Sequence, residues 1–388
     1  MLGSDIYIMC PVTGTLDKKK IKHLKDLDLY CDFMHETSMY ECEKSFANTI
    51  TRSPLGKVKI SYMSDEYDNA SVEWIDALCV LTYQEKSELG ILVFIVPLCS
   101  RDDTQIGDIV FSGHLRIDDS EKIYDLNSYI RTLKLLSCGK EKIIYTNSLA
   151  LKSVEQIGYL LAGETAGSEH IDYRIRDQKL EELSSNNIAM YDFYELYAST
   201  NSIVYLVNGF SDNYLNNLEI EALLIYICEI AVLQNAAIGR INGQIVDELM
   251  QNSNISTSKT LKLQVEFGKT ILLWDNKIYN YYMSQQLSNS IVSAFETDKL
   301  LEEYERNSEH IEQIASLKSA ISADIEGKVL NILAFAISIG ELVQLIKQLV
   351  AYYQGHTYAL GASGISVAIL LLLALIIKRN RKNRNKGI

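Results

Sequence analysis

The sequence predicts an α+β/α protein: an N-terminal α/β domain, a helical region with a very long stalk helix, and a two-helix C-terminal transmembrane hairpin. Three observations carry this. The three prolines, Pro11, Pro54 and Pro97, all fall in the first hundred residues, among short Ile-, Val- and Tyr-rich runs punctuated by Gly, Asp and Ser, as strands are. After Pro97 no proline interrupts helical spacing. Tyr358 to Ile377 holds no charged residue and ends on a cluster of bases.

Within the first third, Asp5–Cys10, Lys57–Met63, Ile75–Tyr83, Gly90–Leu98, Asp108–Ile117 and Lys142–Tyr145 read as strands, and Lys18–Cys31 has the spacing of a helix. These make an α/β domain over 1–148. From Asn147 the periodicity turns helical: Leu149–Leu161, Asn187–Leu206 and Leu215–Met250 repeat apolar residues at three and four, and define a helical region over 149–256. The polar stretch Gln251–Ser258 breaks the pattern. Beyond it, only Gly268, Gly327 and Gly340 weaken the run from Lys259 to Tyr353. Ile311, Ile314, Leu317, Ile321 and Ile325 form an apolar seam there, beside an acidic face, and the stalk helix is placed over 257–328.

The chain has 388 residues, 47% hydrophobic and 22% charged, which excludes disorder as its main state. A formal net charge of −13 argues against direct nucleic-acid binding. The 7 cysteines are scattered without a C-x-x-C pair, against both a disulfide scaffold and structural zinc.

The charge is uneven. Residues 378–388 carry six bases (Lys378, Arg379, Arg381, Lys382, Arg384, Lys386) and no acid, behind an acidic body. The span 358–377 is long enough to cross about 30 Å of hydrocarbon, and the bases at its end place the tail in the cytoplasm. The N-terminal residues lack a basic, apolar leader. An acidic body on the same side as the tail then requires a second span, read at 329–353. Asn331, Ser338, Glu341, Gln344 and Gln348 lay a broad, drifting polar stripe along that segment, as a pore-lining helix would; an amphipathic helix lying on the membrane is the alternative. Gln354, Gly355 and His356 form a short outer loop. The expectation is a multi-pass protein of the inner (plasma) membrane with both termini cytoplasmic.

Catalytic chemistry is not legible, and the chain is not expected to be an enzyme. Gly268-Lys269-Thr270 resembles the end of a P-loop, but Leu263 stands where the motif needs glycine. Gly163 and Gly167 make no dinucleotide fingerprint. His35, Glu36, Glu41 and Cys42 match no metal spacing, and the metal content is left unknown. His170, Tyr173, Arg174 and Arg176 cluster as a possible anion-binding group.

This organisation resembles the CorA-like membrane proteins. The resemblance rests on Tyr281-Tyr282-Met283-Ser284-Gln285-Gln286-Leu287, the run on to Leu330-Asn331-Ile332, the short outer loop, the second span and the basic run from Lys378 to Lys386. It covers residues 200–388 in pattern and 1–200 only in general class. It implies a homopentamer with a funnel-shaped cytoplasmic assembly and a pore lined by the first span. Family transporters carry Gly-Met-Asn at the end of that span. Here Tyr352-Tyr353-Gln354-Gly355-His356 stands in its place, and Gly-Met-Asn occurs nowhere in the chain. The resemblance therefore points first to a ligand-gated membrane channel-type protein, in the manner of family members that act as CRISPR-accessory effectors of antiviral defence and respond to a nucleotide-type second messenger. A magnesium-type divalent cation transporter is the first alternative. A membrane-anchored scaffold without a pore is the second.

Overall fold

The computed structural model describes residues 5–63, 74–97, 114–119, 122–146, 154–162, 176–207, 214–251, 257–274 and 278–354. The chain divides into two compact units, Met1–Val246 with Leu261–Asn307, and Asp247–Thr260 with Ser308–Ile388.

The first unit is built on a ten-stranded mixed sheet. Its strands are β1 (Asp5–Gly14), β2 (Ile50–Met63), β3 (Ile75–Gln84), β4 (Leu89–Pro97), β5 (His114–Asp119), β6 (Lys122–Asp125), β7 (Leu135–Ser137), β8 (Lys142–Thr146), β9 (Tyr194–Ala198) and β10 (Ser202–Val207). They run in the order β6-β5-β2-β3-β4-β1-β8-β10-β9, with β7 paired to β1. Only β8 and β10 pair in parallel among the described residues. The side-chain period of two divides the core into two layers. On β1, Tyr7 and Met9 face one layer, while Ile6, Ile8, Cys10 and Val12 face the other. On β4, Leu89, Ile91, Val93 and Ile95 join the first, and Leu92, Phe94 and Val96 the second. Such two-sided burial explains why β4 reads as a continuous apolar run. Pro54 lies inside β2 at a register shift between Pro54 and Gly56, where its missing N–H is tolerated.

Helices cover both faces. α1 (Lys25–Glu41), the short α2 (Lys44–Ala47) and α6 (Tyr214–Gln251) contribute to the first layer; α3 (Leu126–Thr132) and α4 (Val154–Ala162) pack on the second, with α5 (Asp177–Ser185) beside α4. The predicted strands at 75–83, 90–98 and 142–145 are present within a residue or two; those at 5–10 and 57–63 lie within the longer β1 and β2, the described end of 108–117 falls in β5, and the predicted helix 215–250 is α6. The helix expected over 18–31 begins only at Lys25 and runs on to Glu41.

Two expectations are corrected. Asn187–Leu206 is not helical: β9 and β10 form a hairpin there, and β10 docks beside β8. The boundary at 148 therefore cuts through one sheet. Tyr194, Leu196, Ile203 and Tyr205 fit helical spacing on paper, yet the Tyr- and Val-rich sequence is better buried as strands, and Ser199 closes the turn by donating its N–H to the Ser202 carbonyl (2.8 Å). The stalk helix over 257–328 is not one helix. It consists of α7 (Thr257–Thr270), a 3-10 turn (Ile271–Trp274), α8 (Tyr282–Ala294) and α9 (Thr297–Gln354). The break between α8 and α9 falls where Glu296 takes a left-handed conformation (φ 56°), costly for a side chain with a Cβ. Buried Phe295 and the α6 side chain Asn235 hold it there: Asn235 Nδ2 donates to the Phe295 carbonyl (3.1 Å) and the Thr297 hydroxyl (3.0 Å). Farther along α6, Asn242 donates to the Leu300 carbonyl (2.8 Å).

α6 is fixed to the sheet by two buried acids. Glu229 accepts from Arg52 Nη2 (2.6 Å) and from the Thr82 hydroxyl (2.7 Å), and Arg52 and Thr82 are cross-strand partners on β2 and β3. Glu221 accepts from the Tyr7 hydroxyl on β1 (3.1 Å) and the Thr146 hydroxyl on β8 (2.8 Å). Eight residues of helix advance about 12 Å. The strand pairs that hold the two acids are three strand spacings apart, about 14 Å. The two distances are of similar size, so α6 runs across the strands.

Breaking a buried ion pair on one side strands the other charge. Arg52→Met should lower the unfolding free energy of the detergent-solubilised chain by about 3–5 kcal/mol in denaturant titration, and adding Glu229→Leu should restore part of the loss. A second expectation concerns Lys142, which is buried over the Phe295 ring (4.8 Å). Burial first, then nearby Lys140, lowers its pKa from 10.5 to about 8. The unfolded chain therefore holds more protons between those values, and stability contributed by this group rises as pH climbs from about 8 towards 10.5. In Lys142→Met that slope should flatten; an unchanged pH profile would place the ammonium in water.

Candidate functional site

A cavity of about 350 Å³ opens in the first unit where the end of α1, the loop before β9, the start of α6 and the start of α8 meet. Its size lies within the range of small-molecule sites. Each wall is held locally. The Asn187 side chain accepts from the Ala189 and Leu196 N–H groups (2.9 and 3.0 Å) and folds the preceding loop onto β9, presenting Tyr191. The Tyr194 hydroxyl accepts from the Met190 N–H (3.2 Å). On the opposite side, residues 278–281 are stitched to the end of α1. Asn280 donates its N–H to the Glu41 carbonyl (2.8 Å) and its side-chain amide to the carbonyls of Tyr40 (2.8 Å) and Cys42 (3.0 Å).

The lining is tyrosine-rich. Tyr194 and Tyr205 are buried in its depth, with ring centroids 5.4 Å apart. Tyr40, Tyr191, Tyr281 and Tyr282 stand exposed around it, the first and third 5.3 Å apart. Ile220, Leu223, Leu224 and Leu287 supply the apolar wall. The Tyr205 hydroxyl has no hydrogen-bond partner among the described residues, although the side chain is 1% exposed.

One acid lies among them. Glu41 is 8% exposed and accepts from the Ser284 hydroxyl on the first turn of α8 (2.8 Å). Burial raises its pKa, and the Ser284 bond opposes that shift. Glu41 is also the last residue of α1, where the helix dipole disfavours an anion. Burial, and then the Glu221 carboxylate, lifts the Tyr205 phenol well above its usual range. Among the described residues lining the cavity there is no Lys, Arg or His. The arrangement is an aromatic, electron-rich cavity with one buried acid in its wall.

A second region of interest is the apolar stretch of α9 in the second unit. Among the described residues, two helical segments are long and apolar enough to cross a membrane, Glu219–Asp247 and Gly327–Gln344. Burial separates them: the first is 83% buried as the core helix α6, the second 0%. Leu330, Ile332, Leu333, Phe335, Ile337, Ile339, Leu342, Val343 and Ile346 are all exposed on α9. So many exposed large apolar side chains on one helix, beside the stripe of Asn331, Ser338, Glu341 and Gln344, need a covering that is not water.

Of the sequence-predicted residues, Asn331, Ser338, Glu341 and Gln344 lie exposed on α9, and Ser338 returns its hydroxyl to the Ala334 carbonyl (2.9 Å). Gln348 and Gln354 belong to the same helix. Gly355, His356, the second span 358–377 and the basic tail lie outside the described residues, as do Gly163, Gly167, His170, Tyr173 and Arg174. Arg176 is described, exposed at the N-cap of α5. His35 and Glu36 are exposed on α1, apart from the buried Glu41 and Cys42, and no metal-holding group of three or more His, Cys, Asp or Glu occurs among the described residues.

Sequence reasoning missed the cavity, because its residues come from stretches near 40, 190–205, 220 and 281. The available signal was compositional: 24 tyrosines against 9 phenylalanines, dense in 191–197 and 279–282, is more hydroxyl than a core needs. Comparison with family models, curated proteins and solved structures returns no match to this chain.

Because the Tyr205 hydroxyl is buried without a partner, its removal should cost nothing. Tyr205→Phe should leave the unfolding free energy from denaturant titration unchanged, or raise it by up to about 1 kcal/mol. A loss of that size instead would mean the hydroxyl is bonded.

Proposed function

We propose that this is an oligomeric membrane protein of channel type, anchored by the C-terminal half of α9 and governed by a ligand of its large N-terminal unit. The single observation behind it is the bare apolar stretch of α9, about 20 residues whose side chains are uncovered within one chain. Lipid on one side and sister subunits on the other would satisfy it. In this reading 329–353 and 358–377 form a hairpin, both ends of the chain lie in the cytoplasm, and five copies of the CorA-like layout surround a pore. Asn331, Ser338, Glu341, Gln344 and Gln348 would face water there, and a ring of Glu341 would favour cations. A ligand gates such an assembly only by binding its open and closed states unequally, and a few kcal/mol of difference is enough.

Two measurements test it. A cysteine introduced in place of His356 should react with a membrane-impermeant thiol reagent added outside intact cells; protection there, with labelling only after lysis, would leave an anchored scaffold. Glu341→Gln should lower cation conductance of the reconstituted protein several-fold, and unchanged flux would remove that side chain from the pore.

A further inference from the structure

We propose that the tyrosine-lined cavity of the first unit binds a small organic ammonium cation. The inference goes beyond the channel reading and stands without it.

Three observations converge. The lining tyrosines come from separate parts of the fold: Tyr191, Tyr194 and Tyr205 touch in series, with centroids 6.3 and 5.4 Å apart, and Tyr40 and Tyr281 form a second pair at 5.3 Å. Tyrosine rings attract cations through their electron-rich faces, by about 0.5–2 kcal/mol each depending on desolvation. Glu41 is buried at the negative end of α1, and among the described residues the Ser284 hydroxyl on the first turn of α8 is its hydrogen-bond donor. A cation would relieve that carboxylate, whereas an anion would add to its cost. Finally, exposed tyrosines at the rim are amphipathic enough to stay in water when the site is empty and to close over an alkylated nitrogen when it is filled. Phosphate esters are disfavoured, because no base lines the cavity among the described residues.

The test is calorimetric titration of the full-length, detergent-solubilised chain with choline, its neutral carbon isostere dimethylbutanol, and AMP. Choline should bind saturably and at least about tenfold more tightly than the isostere, as one or two cation–π contacts plus a carboxylate require. Glu41→Gln should erase most of that preference while leaving isostere binding alone. Tyr282→Leu lies on the exposed rim and cannot unfold the core (Tyr282 is 70% exposed), so its several-fold loss of choline affinity provides the control for a Glu41 variant that fails to fold. Equal affinity for choline and isostere, no saturable choline binding up to about 10 mM, or AMP binding tighter than choline would each overturn the proposal.

Discussion

The first unit depends on where the charge of Glu229 is buried. An apolar helix laid on an apolar sheet has many nearly equivalent resting places, since methyl groups pack against one another without direction. A buried carboxylate has one. Glu229 meets both Arg52 and the Thr82 hydroxyl at a single point on β2 and β3, and Glu221 finds Tyr7 and Thr146 at a second point on β1 and β8. Two directional anchors set the position of α6 and its rotation. Everything packed on the far side of α6 inherits that register, including the Asn235 and Asn242 bonds that start α9.

The same anchoring shapes the cavity. The residues around Glu221 hold the sheet with their polar member and line the cavity with Ile220, Leu223 and Leu224. The end of α1 is brought there by residues 278–281, which bond to it much as a short strand would, through Cys42 and Tyr279. The acid is thus set into the wall by backbone hydrogen bonds on one side and Ser284 on the other. A group so expensive to bury is held with little freedom to escape into water.

Much of the sheet was legible because alternation and β-branched composition coincide in β1 to β4 and β8. The hairpin β9–β10 was not, although Ser199-Thr200-Asn201-Ser202 between two Tyr- and Val-rich runs is itself a turn signal. Its apolar residues also fit a helix, and only the place beside β8 decides between the two. The stalk illustrates the opposite error. No Pro or Gly marks the end of α8; the break depends on an Asn 60 residues upstream in sequence and on a Glu in a left-handed conformation, which local propensity argues against. The cavity was invisible for a related reason. Its tyrosines are ordinary one by one, and only the fold gathers them.

The thirteen-residue α8 has one end in the cavity and the other at the joint with α9. Tyr282, Met283, Ser284 and Leu287 line the first; Phe295, sealed beneath Asn235 and Lys142, closes the second. A helix this short is stiff along its axis, and its buried Leu287 and Ile291 leave no slack against α6 and the sheet. The helix then runs straight into the left-handed Glu296, so the same thirteen residues that wall the cavity also fix where that turn begins.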